Sequence, residues 1–216
     1  MNNQYSLIIF DWDGTLYDSV THVANTLKKA VTSLNLPMFN ESEYEELSGL
    51  AIDHVINALY ADFSEKEREQ LKARYRLQAL IDQKEVTLYP QTREVLAKLR
   101  EEHYDLAIAT GKSAKGLAED LMLLNIGDWF VATRTADQTF SKPNPKMLYQ
   151  IMDMLNVSPR KTLMVGDSVV DIQMALNAEV DAIGIHSDAT QREILLSQGA
   201  KKTIATLSEL LVYLLG

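Results

Sequence analysis

Four short, largely apolar runs constrain this 216-residue chain more than any other feature: residues 6–10 (SLIIF), 105–110 (DLAIAT), 162–166 (TLMVG) and 181–185 (DAIGI). Each breaks at a polar or glycine-containing turn, and each is followed by a helical stretch. A run of this kind, without polar alternation, has no face to give to water and reads as a strand covered on both sides, the condition of a parallel sheet. Parallel neighbours need long crossover connections, which the helical stretches supply. The pattern predicts an α/β fold with a doubly wound parallel sheet. Its 46% apolar residues are ample to fill the core.

Residues 18–84 interrupt the alternation with helical spacing and no strand candidate. Val20, Val23, Ala24, Leu27, Val31 and Leu34 share one helical face. Ser64 stands three residues before Glu67, the capping-box start of a long polar helix whose alternating charges over 65–76 read as a solvated face. Two or three shorter helices fit between these two. The Tyr89-Pro90 step ends the insertion, and residues 91–102 read as a helix leading to the second core strand. The chain is thus expected to divide into an α/β core of residues 1–17 and 85–216 and an all-helical insertion of residues 18–84. An insertion directly after the first strand is expected over the carboxyl ends of the strands, where open α/β sheets bind ligands, and there it would act as a lid.

A formal charge of −9 with no run of Lys or Arg argues against nucleic acid or an anionic membrane as partner. With no cysteine, disulfides, thiolate catalysis and Cys-based zinc sites are excluded. The start, MNNQYSLIIFDWD, has no basic region, and its apolar run is too short for a signal peptide or a membrane span, so a cytoplasmic location is expected. The sequence carries no signal of oligomeric state.

The ends of the apolar runs hold the chemistry. Asp11-Trp12-Asp13-Gly14-Thr15-Leu16 presents two carboxylates one residue apart on a turning loop. Thr110 closes the second run, and Gly111-Lys112-Ser113 opens the next helix, where a hydroxyl and backbone N–H groups suit phosphate oxygens. Lys142, in the stiff loop Ser141-Lys142-Pro143-Asn144-Pro145, offers a fixed positive charge. Asp167 and Asp171, in GDSVVD after the third run, add carboxylates spaced for a hard cation. Each alone has an ordinary explanation, as helix cap, loop lysine or dipole partner; their joint occurrence at successive strand ends points to one phosphoryl-transfer site. A nucleotide-binding P-loop is rejected for Thr110-Gly111-Lys112-Ser113, because Leu106 occupies the position where that motif needs glycine.

In all four ordered motifs the chain resembles the haloacid dehalogenase superfamily: DWDGTLYDS at 11–19, Thr110, Lys142, and GDSVVD at 166–171. The resemblance spans the whole chain, with the insertion placed like the helical C1 cap, and the segments ATGKS and SKPNP are most similar to its phosphoglycolate phosphatase-like subgroup. It implies a Rossmann-like core and a Mg²⁺-dependent phosphatase acting on a small phosphorylated metabolite, phosphoglycolate being the nearest guess. In it Asp11 is the nucleophile that becomes an aspartyl-phosphate, and Asp13 protonates the leaving oxygen and then activates water. Mg²⁺ would be held by the Asp11 side chain, the Asp13 backbone carbonyl and Asp167, with Asp171 nearby as ligand or support. Thr110 and Lys142 would hold the phosphoryl oxygens, with Gly111 and Lys112 at the same phosphate position, and Gly49, in Ser48-Gly49-Leu50, resembles a substrate-contacting cap loop. A phosphomutase like β-phosphoglucomutase is the alternative; a receiver-like signalling domain is the rival of another class, though its motifs come in a different chain order and it lacks the insertion.

Overall fold

The computed structural model describes residues 4–47, 52–82 and 86–216. The chain forms two compact units, one of Met1–Tyr17 with Leu88–Gly216 and one of Asp18–Thr87.

In the second unit the described residues form helices α1 (Ser19–Ser33), α2 (Glu41–Leu47), α3 (Ile52–Leu59) and α4 (Glu65–Asp82), with no strand among them. The face foreseen for α1 is its packing face: Leu27 and Val31 join Tyr44, Val55, Ile56 and Leu71 in a buried cluster edged by Val20, Val23, Ala24 and Leu34. The capping box at α4 is formed, with the Ser64 N–H and Oγ donating to Glu67 Oε2 at 2.9 and 2.6 Å. At its other end the nearly buried Asp82 accepts from Gln78 Nε2 at 3.0 Å, Lys29 Nζ at 3.1 Å and Thr26 Oγ1 at 3.3 Å, which ties α1 to α4.

The first unit is a sheet of β1 (Leu7–Phe10), β2 (Asp105–Thr110), β3 (Ala132–Thr135), β4 (Thr162–Gly166), β5 (Asp181–Ile185) and β6 (Lys202–Ile204), all parallel, in the order β3-β2-β1-β4-β5-β6. Its connections run through α5 (Thr92–Glu101), α6 (Ala114–Leu124), α7 (Lys146–Leu155), α8 (Val169–Asn177) and α9 (Ala189–Ser197), and α10 (Ser208–Leu215) follows β6. Leu7 and Ile9 face a core that includes Met147, Ile151, Ile172 and Leu195. Ile8 and Phe10, pointing to the other face, are equally buried. The four apolar runs are the four inner strands. β3 and β6, absent from the sequence reading, are the edges; with one neighbour each they are short and carry polar residues (ATRT, KTI) that hide the strand signal.

The order places the chain's reversal between β1 and β4, because the chain builds outward from β1 to β3 on one side and from β4 to β6 on the other. In such sheets the carboxyl ends of the strands at the reversal open a crevice. Among the described residues no helix is long and apolar enough to cross a membrane.

Candidate active site

Asp11 stands at that crevice. Its N–H donates to the Val165 carbonyl at 2.9 Å, extending the β1–β4 ladder one residue into the turn. The Trp12 carbonyl then accepts from Leu16 and Tyr17 N–H groups at 3.0 and 2.9 Å, which folds the loop back on itself. Gly14 has φ +80°, and a Cβ there would stand 2.2 Å from Asp167 Oδ2. Only glycine lets this loop close against Asp167. Thr15 Oγ1 completes the closure by donating to Asp167 Oδ1 at 2.9 Å.

Lys142 arrives from the loop before α7, pinned where Asn177 Nδ2 donates to the Pro143 carbonyl at 3.0 Å. Its ammonium lies 2.6 Å from both Asp11 Oδ1 and Asp171 Oδ1. Asp171, fully buried in the first turn of α8, accepts from the Ser168 Oγ and N–H through Oδ2 at 2.5 and 3.1 Å, which leaves Oδ1 to Lys142. A Cβ on Gly166 would come within 2.5 Å of Asp171, so the strand end must be bare for this carboxylate to lie over it.

Oxygens of Asp11, Asp167 and Asp171 lie within 4.8 Å of one another, three carboxylates against one ammonium. Apart from that ammonium, no donor reaches Oδ1 of Asp11 or Asp171 among the described residues. Burial and the Asp171 charge push the Asp11 carboxyl well above the usual carboxylate range, against the pull of Lys142. Burial, then Asp11 and Asp171, raise Asp167 in the same way. For Lys142 burial works downward, but the Asp171 and Asp11 charges outweigh it and raise the ammonium. A buried set of hard oxygen donors short of positive charge is what a metal cation completes, so the trio can hold a metal ion.

The remaining residues gather on the β2 side. Phe10 pairs with Ile108, so Thr110, two residues on, ends beside the Asp11 tip. Thr110 is buried, and its Oγ1 accepts the Lys112 N–H at 3.2 Å, so that backbone donor is already engaged. Around Gly111 there is open space where a Cβ would be. The Asp13 carboxylate does not join the acidic trio; Oδ1 lies 3.7 Å from Lys112 Nζ. Partial desolvation raises the Asp13 carboxyl and Lys112 pulls it back. Gly49 lies outside the described residues.

Two participants went unnoticed in the sequence. Thr15 is one. The other is Asp120 of α6, nearly buried, whose Oδ2 accepts from Trp12 Nε1 at 2.9 Å and lies 2.8 Å from Lys112 Nζ. Its signal was present: Leu117, Asp120 and Leu121 share the buried face of α6, and a carboxylate on an apolar helical face asks for a partner.

A doubly wound sheet with an acidic trio and a threonine at the carboxyl ends of its inner strands, faced by a lysine from the loop before α7, is the kind of arrangement that α/β enzymes carry at the switch point of the sheet. The family model described as haloacid dehalogenase-like hydrolase matches residues 8–185, and the chain belongs to that family. Its relatives include the phosphoglycolate phosphatase of Vibrio parahaemolyticus, 31% identical over 214 residues, covering 95% of this chain and 94% of that one. The phosphoglycolate phosphatase of Haemophilus influenzae is 30% identical, covering 86% and 87%. Among solved structures, a HAD family hydrolase of Deinococcus radiodurans R1, with bound phosphate and sodium, superposes with a TM-score of 0.79 over 99% of this chain and 96% of that one at 20% identity, a likeness of fold.

Proposed function

We propose that this hydrolase cleaves a small phosphate monoester, phosphoglycolate foremost, through an aspartyl-phosphate on Asp11. The observation that carries the reading is the convergence of Asp11, Asp167, Asp171 and Lys142 within ion-pair or ligand distance at the β1–β4 switch point. Two relatives matched over most of their length are phosphoglycolate phosphatases, which supports the substrate class.

In this reading Asp11 attacks phosphorus in line and displaces the alcohol, while Asp13 gives a proton to the leaving oxygen. Asp13 then takes a proton from water as the water attacks phosphorus and frees Asp11. One carboxylate serves as nucleophile and the other as acid and base, which divides one difficult displacement into two easier ones. Lys142 and the Thr110 hydroxyl hold phosphoryl oxygens, with Gly111 leaving room for them. Asp11, Asp167, the Asp13 backbone carbonyl and Asp171 are the groups that would hold Mg²⁺, which when bound offsets the charge of carboxylates facing a phosphate dianion. The helical unit of residues 18–87 would select the leaving group, with Gly49 as a substrate contact.

The test is release of inorganic phosphate from phosphoglycolate and a panel of sugar and nucleotide monophosphates, with Mg²⁺ or with EDTA, by the native protein and by Asp11→Asn. Turnover should need Mg²⁺ and vanish in the variant. Substantial turnover by folded Asp11→Asn would reject the nucleophile, and isomerised sugar phosphate without phosphate release would replace the phosphatase with a mutase.

A further inference from the structure

We propose that Asp120 is a positioning residue for the leaving-group side of the reaction, holding the Lys112 ammonium beside Asp13. The inference rests on the hydrolytic reading above. A carboxylate on the inner face of α6 is costly to bury, and an apolar residue there would pack without that cost. Its two partners both come from site loops: Trp12, the residue between Asp11 and Asp13, and Lys112, two residues after Thr110.

The ammonium of Lys112 is therefore not free to wander over the site. Asp120 Oδ2 lies 2.8 Å away, Asp13 Oδ1 3.7 Å away, and the Tyr17 ring centroid 5.0 Å away. Two anions and an aromatic face fix a point charge that a lysine stem alone would leave mobile. A single carboxylate thus locks the nucleophile loop through the indole and sets the cation beside the residue that must hand a proton to the leaving oxygen. Lys112, read from sequence as a phosphate ligand, becomes in this arrangement the partner of Asp13.

Two esters distinguish this role from simple structural support. An alkyl phosphate leaves as a basic alkoxide and needs the proton; p-nitrophenyl phosphate leaves as a stable phenolate and does not. In Asp120→Asn, which keeps an acceptor for the Trp12 indole, kcat/KM should fall about 10-fold more for the alkyl ester than for the aryl ester. Lys112→Gln, at a partly exposed side chain, should show the same split, and the double variant should lose no more than the worse single one. Equal losses on both esters, or additive losses in the double variant, would overturn the assignment. If Asp120→Asn does not fold, the ester split in Lys112→Gln decides alone. Failure of the native protein to hydrolyse either ester would strike the hydrolytic reading itself; a native protein active on both, with variants that show no split, would strike only Asp120.

Discussion

At the amino ends of β1 and β5, Asp181 Oδ2 accepts from the buried Tyr5 hydroxyl at 2.7 Å, from Lys201 Nζ at 2.7 Å and from Gln4 Nε2 at 3.2 Å. At the carboxyl ends of β1 and β4, three carboxylates crowd together and, among the described residues, one ammonium, that of Lys142, pairs with two of them. The same sheet thus carries one matched polar cluster and one with surplus negative charge. A matched cluster holds the fold together. A surplus of like charge, out of water, works against the fold, and a site that needs a cation and a phosphate is where such a cost is tolerated. Substitutions at the two ends should therefore have opposite signatures in stability and activity.

The largest effect is expected from Lys142→Met. Removing the ammonium that faces the trio should lower kcat/KM by about 10³-fold, about 4 kcal/mol of transition-state stabilisation. It should also lower unfolding stability in EDTA by about 3 kcal/mol, since two buried carboxylates lose their partner. Phosphate release and urea unfolding measure the two losses. An unchanged urea midpoint would mean that the carboxyl end is not short of positive charge, and the contrast between the ends would fail.

Asp167→Asn should give a mixed result. In metal-free buffer it removes one of three crowded charges and should stabilise the fold by about 1 kcal/mol while abolishing most activity. Mg²⁺ at 100 times its dissociation constant should stabilise the native protein by about 2.7 kcal/mol and the variant by much less. The pH dependence has a definite sign. Asp11 and Asp167 are raised in the folded state, so their favourable contribution is full below the ordinary carboxyl range and is lost as pH rises through their raised values. In EDTA the native protein should accordingly be more stable at about pH 5 than at about pH 8, and Mg²⁺ should narrow or reverse that difference. Greater stability at the higher pH without metal would remove the charge surplus from the account.

What was legible in the sequence follows the same division. Asp11, Asp13, Thr110, Lys142, Asp167 and Asp171 could be picked out because each ends an apolar run or stands in a proline- or glycine-marked loop, a local signal. That Asp11, Lys142 and Asp171 meet depends on β4 lying next to β1, and the alternation of strands and helices does not specify that order. Likewise β3 and β6 escaped because an edge strand needs no apolar run. Asp120 was hidden by its separation from Trp12 in the chain, although its place on the buried face of α6 marked it. The amino-end cluster left no trace, since Tyr5 and Asp181 are 176 residues apart and neither belongs to a motif.

The smallest effects are expected at that amino end. Burial works to raise the Asp181 carboxyl, but Lys201 and Tyr5 outweigh it and hold it below the usual range. A lowered folded value means that the contribution is present above the ordinary carboxyl range and is lost as pH falls through it. Asp181 keeps 38% of its side chain exposed, so solvent screening limits Asp181→Asn to about 1 kcal/mol at neutral pH. That gap should close below about pH 4. Tyr5→Phe, which removes the donation to Asp181 and the hydrogen bond accepted from Lys201 Nζ at 3.1 Å, should cost about 1 kcal/mol. Neither variant should change kcat/KM, and neither should change the stabilisation by Mg²⁺. If Asp181→Asn lowered activity as much as stability, the two ends would be coupled through β1 and β5, and the division of labour between them would have to be given up.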